Sequence, residues 1–253
     1  MTNVPAGRPM TPDSGLPGNV IPADAADLDT LSQVIAGAFH DLAPSRWLID
    51  DPAARREIFP GYFRIYVEHA MASGVVHTTP DRTAAALWIP VGEDGPSPPL
   101  DYDARLAVAT SPWTARFLAF DAALDRHHPA GTPHHHLAML AVSPQRQGQG
   151  TGTALLRAYH ALLDDADAPA YLEASDLLTR RFYLRHGYTD HGRPIHLPDG
   201  PLMYPLCRPP AGQPIPLPRR IPKGHTVRSA GNGPEAGPGT GPSTPPFKEH
   251  DEH

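Results

Sequence analysis

The chain has 253 residues, 40% of them hydrophobic, and a formal net charge of −6. This composition allows one sizeable core and excludes the overall positive charge that is typical of nucleic-acid-binding proteins. The single cysteine, Cys207, excludes an internal disulfide and a thiolate-rich zinc cluster, and no apolar run has the length of a signal peptide or a membrane span. We therefore expect a soluble, cytoplasmic protein that binds neither nucleic acid nor membranes.

Two segments rich in proline and glycine flank the predicted domain. Met1–Gly18 and Arg208–His253 contain too few apolar residues to offset the entropy lost on ordering. We predict that both are disordered tails and that a single domain extends from Asn19 to Cys207.

Within the domain, the apolar periodicity switches repeatedly between strand and helix spacing. The order β-α-α-β-β-α-β-α-β-α-β-β predicts an α/β protein with a mixed sheet and helices on its faces. The predicted elements are strand Asn19–Pro22, helix Asp24–Phe39, helix Pro52–Met71, strands Gly74–Thr79 and Ala84–Val91, a helical stretch Tyr102–Arg126 broken near Pro112, strand His134–Val142, helix Thr151–Asp165, strand Pro169–Ser175, helix Leu177–His186, and strands Tyr188–Ile195 and Leu202–Cys207.

The most informative segment is the polar turn between strand His134–Val142 and helix Thr151–Asp165. It contains Gly148, Gly150 and Gly152, spaced by two. Glycine lets backbone N–H groups approach a ligand closely, and a helix N-terminus adds unpaired N–H donors and a positive dipole end. The turn is therefore predicted to bind a phosphate group with almost no side-chain charge.

Two common phosphate-binding patterns do not fit this turn. A P-loop requires Lys and then Ser or Thr after its last glycine, and the dinucleotide pattern G-x-G-x-x-G would require glycine at Thr153 or Leu155. The run Gln147-Gly-Gln-Gly150-Thr-Gly152 instead fits Gln/Arg-x-x-Gly-x-Gly. It resembles the signature with which GNAT N-acetyltransferases bind the pyrophosphate of coenzyme A. The alternative is a glycine-rich turn that only connects a strand to a helix.

A second segment, Ala170–Tyr188, resembles the other landmark of that family. It contains a strand, a short helix with Phe-Tyr, three further residues, and then glycine and an aromatic residue. Tyr183 occupies the position of the tyrosine that acts in the family as general acid toward the departing thiolate. The alternative role of Tyr183 is packing of a half-buried ring. Gly187 is predicted to end the helix.

The resemblance implies the GNAT fold, a central mixed and mostly antiparallel sheet of six to seven strands flanked by helices. It implies acetyl-CoA as acyl donor, bound where strand His134–Val142 splays from its neighbour, with a backbone N–H near Val142 facing the thioester oxygen. At Asp176 many relatives carry asparagine, which weakens the inference there. The residues that the resemblance places at coenzyme A are Leu140, Ala141, Val142, Gln147, Gly148, Gln149, Gly150, Thr151, Gly152, Thr153 and Asp176.

An alkyl amine must lose a proton before it attacks a thioester, so a general base is expected unless the acceptor is weakly basic. His136 is one candidate, because histone-type members of the family carry a glutamate at this position. Glu173, on the adjacent strand, is the other. The alternatives are a solvated run of histidines, His134–His136, and an ion-paired carboxylate within the sheet. No metal site is predicted, because the histidines lack ligand spacing.

The predicted function is transfer of an acetyl group from acetyl-CoA to a small-molecule amine. The chain is similar to the puromycin N-acetyltransferase-like branch at Ala38-Phe39, Val142-Ser-Pro144, Tyr171-Leu-Glu-Ala-Ser175 and Phe182–Tyr188. This similarity implies an antibiotic or aminonucleoside acceptor and a role in antibiotic resistance. The alternatives are a protein lysine or N-terminal acetyltransferase and a non-catalytic acyl-CoA sensor. A homodimer is one option for the assembly.

Overall fold

The structure, a computed structural model, describes residues 19–210. The predicted tails lie outside the described residues, apart from 208–210. No helix in this described part is both long and apolar enough to cross a lipid bilayer. The elements, in chain order, are β1 Ile21–Pro22, α1 Leu28–Phe39, α2 Ala43–Leu48, α3 Pro52–Ser73, β2 Val75–Thr78, β3 Ala84–Val91, α4 Tyr102–Thr110, α5 Thr114–Asp125, β4 His134–Val142, α6 Thr151–Asp165, β5 Ala170–Ala174, α7 Leu177–Leu184, β6 Thr189–Asp190, β7 Ile195–His196 and β8 Leu202–Arg208.

The eight strands of the described residues form a sheet in the order β1-β2-β3-β4-β5-β8-β6, with β7 paired to β8 beside this path. The pairing of β4 with β5 is parallel, and the other pairings are antiparallel. The prediction of a mixed, mostly antiparallel sheet flanked by helices is confirmed. The sheet has one strand more than the upper end of the predicted range.

Two hydrophobic clusters bury the two faces of this sheet. One contains α1 and α3 side chains such as Leu31 and Phe59, and the other contains α6 side chains such as Leu155 and Tyr159. Strand β4 contributes to both, because successive side chains of a strand point to opposite faces. The polar groups of β4 are therefore held in the centre of the domain.

Aspartates begin two of the helical segments. The Asp24 carboxylate accepts a hydrogen bond from the Ala26 amide and caps a short 3-10 turn, which leads directly into α1. The Asp51 carboxylate accepts from the Ala53 amide, and Pro52 fills the first position of α3. Both arrangements satisfy N–H groups that a helix start leaves without a partner, so the predicted helix starts are confirmed.

Three details of the predicted elements are wrong. Helix α2 is missing from the prediction, because six residues are too few to establish a periodic pattern. The predicted strand Tyr188–Ile195 is two short strands, β6 and β7, because Gly192 turns the chain between them with a φ of 74°. Arg208, predicted as the first tail residue, belongs to β8, where it pairs with Ala170 and contacts the Asp164 carboxylate at 2.6 Å.

Candidate active site

The glycine turn follows β4 and leads into α6, as predicted. After a 3-10 turn at Pro144–Arg146, Gly148 and Gly150 have φ values of 75° and 86°, a region that other residues rarely adopt. A Cβ atom at either glycine would meet no heavy atom within 4 Å. The two glycines are therefore required by backbone conformation, and the space beside them is open to a ligand.

The glutamines of the motif brace the turn. Gln147 donates its side-chain amide to the Val142 carbonyl at 3.0 Å, and Gln149 donates to the Gln145 carbonyl at 3.2 Å. Thr151 begins α6, so the first amides of that helix have no acceptor within it. This arrangement can bind an anion through backbone N–H groups, while contact of the two glutamine side chains with coenzyme A stays a prediction.

A gap opens between β4 and β5 immediately before this turn. Only His135 and His136 of β4 pair with β5, although β4 continues to Val142. The register of β4 against β3 shifts at Ala138, where one extra residue forms a β-bulge. A bulge bends its strand and increases the local twist, so it explains why the strands diverge at this point. The predicted splay of β4 from its neighbour is confirmed.

Backbone groups of β4 face this gap at alternate residues. The Ser143 amide donates to the Thr83 carbonyl at 2.8 Å, on the β3 side. Antiparallel pairing alternates, so Ala141 also turns its amide toward β3, and Leu140 and Val142 turn theirs toward the gap. Of the three residues predicted in this strand, Leu140 and Val142 therefore suit a ligand that pairs with the backbone, and Ala141 does not.

Helix α7 lies beside the gap. A Cβ atom on Gly152 would lie 3.6 Å from the Phe182 ring and within 4 Å of Leu140 and Val142, so the start of α6, the end of β4 and α7 meet here. Tyr183 follows Phe182 on α7 and is half-buried. Burial raises the pKa of its phenol above the ordinary value, which keeps the hydroxyl protonated at neutral pH.

Both ends of α7 are fixed by local hydrogen bonds. Gly187 has a φ of 86° and follows the last turn, and the Tyr188 amide donates to the Tyr183 carbonyl, so the predicted helix stop is confirmed. At the other end, the Asp176 carboxylate accepts from the Thr179 amide at 2.7 Å, and the Thr179 hydroxyl accepts from the Asp176 amide. Asp176 is therefore a helix cap, and its predicted contact with coenzyme A stays a prediction. Thr153, also predicted there, lies 3.2 Å from the ring of His186.

The two candidate bases form a pair. His136 Nε2 lies 3.0 Å from Glu173 Oε2, and the Glu173 side chain is only 6% exposed. An ionised carboxylate can only accept, so Nε2 of His136 carries the proton of this hydrogen bond. The other ring nitrogen, Nδ1, has no hydrogen-bond partner among residues 19–210 and is free to accept a proton.

A third group, His128, contacts this pair and was missed by the sequence analysis. Its Nδ1 lies 3.8 Å from Glu173 Oε1. Burial alone would raise the pKa of Glu173, but the neighbouring imidazoles of His136 and His128, together with the hydrogen bond from His136, outweigh burial and hold this pKa below its ordinary value. The His127-His128 doublet shortly before His134–His136 was the available signal in the sequence.

An open groove lies beside the start of α7, with a volume of about 490 Å³. Leu177 and Leu178, which line it, are 53% and 75% exposed. Asp176 is the only charged residue of its lining, and its carboxylate already caps α7. The groove therefore presents mainly apolar surface to solvent. Its lining residues are Ala43, Ser175, Asp176, Leu177, Leu178, Pro201, Leu202 and Tyr204.

The chain is similar to known proteins in sequence and in fold. Residues 113–190 match a family model described as an acetyltransferase (GNAT) domain. A solved structure from Corynebacterium glutamicum, described as histone acetyltransferase HPA2 and related acetyltransferase, is 26% identical, with a TM-score of 0.58 over 78% of this chain and 98% of that chain. Arylalkylamine N-acetyltransferase 2 from Aedes aegypti is 10% identical, with a TM-score of 0.49 over 75% and 97%.

Proposed function

We propose that this chain, whose residues 113–190 match a GNAT acetyltransferase domain, transfers an acetyl group from acetyl-CoA to a primary amine of a small molecule. The observation that carries the proposal is the gap between β4 and β5, with the glycine turn at one end and the His136–Glu173 pair at the other. One end suits a diphosphate, and the other suits proton removal.

The order of groups along β4 fits acetyl-CoA, which GNAT acetyltransferases use as cosubstrate. The diphosphate would accept hydrogen bonds from the amides of Gly148–Thr153, and the pantetheine arm would extend back along Val142 and Leu140. The Leu140 amide is the gap-facing amide nearer to His136, so it is the better placed donor to the thioester oxygen as negative charge develops there.

The His136–Glu173 pair supplies the base. Nδ1 of His136 accepts the proton that the amine loses as its nitrogen bonds to the thioester carbon, and Glu173 stabilises the resulting imidazolium. When the carbon–sulfur bond breaks, the Tyr183 hydroxyl donates its proton to the departing thiolate. Proton removal and proton donation are thus assigned to two different side chains.

The groove beside α7 supports a small acceptor. Its exposed leucines and its lack of an uncommitted carboxylate suit an acceptor with an apolar part better than a lysine-rich peptide, which would be attracted by acidic residues. The similarity to the puromycin N-acetyltransferase-like branch adds support for an antibiotic or aminonucleoside. A protein amine is the competing acceptor, because the solved structure with 26% identity is described as histone acetyltransferase HPA2 and related acetyltransferase.

A thiol-release assay with acetyl-CoA tests the proposal. The acceptors are aminonucleosides, arylalkylamines, aminoglycosides, and lysine or N-terminal peptides. We expect turnover with a small amine and little with peptides. The reverse result would favour the protein acetyltransferase. Acetyl-CoA binding in calorimetry without transfer to any amine would favour the acyl-CoA sensor.

Tyr183→Phe tests the general acid in the same assay. We expect kcat to fall by about 10²–10⁴-fold, while the Kd of acetyl-CoA stays unchanged. Tyr66→Phe is the control, because it removes a phenol that packs in the other core cluster. Unchanged turnover in Tyr183→Phe would remove this residue from the mechanism.

A further inference from the structure

We propose that His128, His136 and Glu173 form a binding site for a divalent transition-metal ion, and that Zn²⁺ is the ion it fits best. One ligand atom from each residue lies within 4.8 Å of the other two. The three residues come from the turn after α5, from β4 and from β5, so no local spacing in the sequence reveals the site. It is a metal site where the sequence analysis expected none.

The hydrogen bonds of His134 determine the tautomer of His128, and therefore whether the nitrogen nearest to Glu173 carries a proton. Nδ1 of His134 lies 2.8 Å from the Thr132 carbonyl, which can only accept, so this nitrogen donates. If His134 is neutral, its Nε2 carries no proton and can only accept. Nε2 of His128, which lies 3.0 Å from it, is then the donor. Nδ1 of His128 is left with a lone pair directed at the carboxylate.

While His128 is neutral, that lone pair and the carboxylate oxygen repel each other, and a metal ion bound between them would remove the repulsion. Glu173 Oε1 is buried and has no hydrogen-bond partner within the described part of the chain. Its distance to His128 Nδ1, 3.8 Å, is too long for a hydrogen bond. Two ligand atoms bonded to one Zn²⁺ at roughly 2.1 Å lie about 3.4 Å apart at a tetrahedral angle, so a small side-chain movement suffices.

The ligand set favours Zn²⁺ over a hard cation. Two imidazoles and one carboxylate are ligands that zinc prefers, whereas Mg²⁺ and Ca²⁺ prefer oxygen alone. The side chains of His128 and Glu173 are 7% and 6% exposed, and that of His136 is 19% exposed. His134 and the Thr132 carbonyl act as the outer partners that orient a ligating imidazole. The fourth position of a tetrahedral ion would remain open.

Zinc binding and catalysis require opposite tautomers of His136. As base, this residue holds its proton on Nε2, toward Glu173, and accepts another on Nδ1. As ligand, it gives its Nε2 lone pair to the metal and carries its proton on Nδ1. Bound zinc therefore blocks proton removal, so the site inhibits acetyl transfer reversibly. This consequence rests on the proposed function, but the binding itself does not.

Calorimetric titration of the metal-free full chain with Zn²⁺ tests the binding. We expect one site with a Kd of about 1 µM or tighter that is lost on substitution of a ligand. His128→Phe should weaken it more than the roughly 10–100-fold typical of outer-shell changes. His127→Phe is the matched control, because its ring bonds to the Ala123 carbonyl instead. Glu173→Gln should also abolish the site, which guards against misfolding of a single variant.

Two results would overturn the site. One is the absence of a micromolar site in the wild-type chain, and the other is equal weakening in His127→Phe and His128→Phe.

Inhibition is then measured as the ratio of turnover with and without Zn²⁺ for each variant. We expect zinc to inhibit the wild type and to leave the residual turnover of His128→Phe unaffected. A chain that binds zinc but acetylates no amine would retain the metal site and refute the proposed function alone.

Discussion

The two ends of β4 are built by different means. At its C-terminal end, the glycine turn is formed by consecutive residues, and its backbone provides the binding groups. At its N-terminal end, His136 depends on Glu173, which lies 37 positions further along the chain, and on His128, which precedes it by 8 positions. The fold brings these three side chains together. A site made by local backbone is therefore readable in a sequence, whereas a site made by distant side chains is assembled by packing.

The largest expected effect tests the side-chain end. His136→Asn should lower kcat by about 10²–10⁴-fold with little change in the KM of acetyl-CoA, because the base is lost and the turn is intact. The assay includes a chelator. Adding Glu173→Gln to this variant should cost little more, since the two residues act as a unit. His135→Asn is the control, as its ring bonds to the Tyr159 hydroxyl instead. Additive losses would contradict a joint role.

A smaller effect concerns a buried histidine that lacks a carboxylate partner. Both ring nitrogens of His77 are buried without a hydrogen-bond partner in the described residues, and burial lowers its pKa to about 4. Its unfolded-state pKa is about 6.5. As the pH falls below that value, the unfolded chain takes up the proton first and stability is lost.

Between pH 7 and pH 5, His77 should therefore remove about 2 kcal/mol from the free energy of unfolding. His77→Phe should lose correspondingly less stability over this range in urea titrations at the two pH values. The exposed His196, replaced by Phe, serves as the control. Identical pH dependence in wild type and His77→Phe would show that this ring is not held neutral.

The backbone end is tested by Gly150→Val. Its φ of 86° costs a residue with a side chain about 1–2 kcal/mol, so the turn should rearrange and the Kd of acetyl-CoA should rise about 10-fold. Gly95→Val provides the comparison, because Gly95 has a φ of 92° and similarly open surroundings. It should lose stability without losing affinity. Equal affinity in both variants would refute the role of the turn.

The smallest expected effect separates the two roles of Asp176. Asp176→Ala removes the cap of α7 and should lower the free energy of unfolding by about 1 kcal/mol. If the carboxylate is only a cap, the Kd of acetyl-CoA stays the same, and Asp176→Ser recovers most of the stability. Weaker acetyl-CoA binding in both variants would support the predicted contact.

Most of the fold was predictable from the sequence, because in long segments the spacing of apolar residues indicates both the type of element and its buried face. The strand–turn–helix unit around Gly150 and the helix stop at Gly187 follow from local conformational preferences and were predicted correctly. Helix α2 and the break at Gly192 were missed, since a six-residue helix and a turn inside an apolar segment leave little periodic pattern.

The candidate site was predictable in its parts but not in its connections. His136 and Glu173 were proposed as separate bases, and the fold joins them because β4 and β5 are neighbours in the sheet. The contact of His128 with Glu173 depends on the path of the chain between α5 and β4, which no local sequence pattern predicts. Asp176 was assigned to the ligand, although its place directly before the predicted helix Leu177–His186 is typical of a cap, which its hydrogen bond from the Thr179 amide shows it to be.

The early end of the β4–β5 ladder also bears on the cohesion of the sheet. Two pairings, at His135 and His136, join one half of the sheet to the other. A ligand that accepts hydrogen bonds from the Leu140 and Val142 amides would add a further connection between the two halves of the sheet. Native-state hydrogen exchange at these two amides should therefore slow when acetyl-CoA is added, while that of the β2–β3 ladder stays constant. The substrate would then contribute to the mechanical continuity of the sheet that binds it.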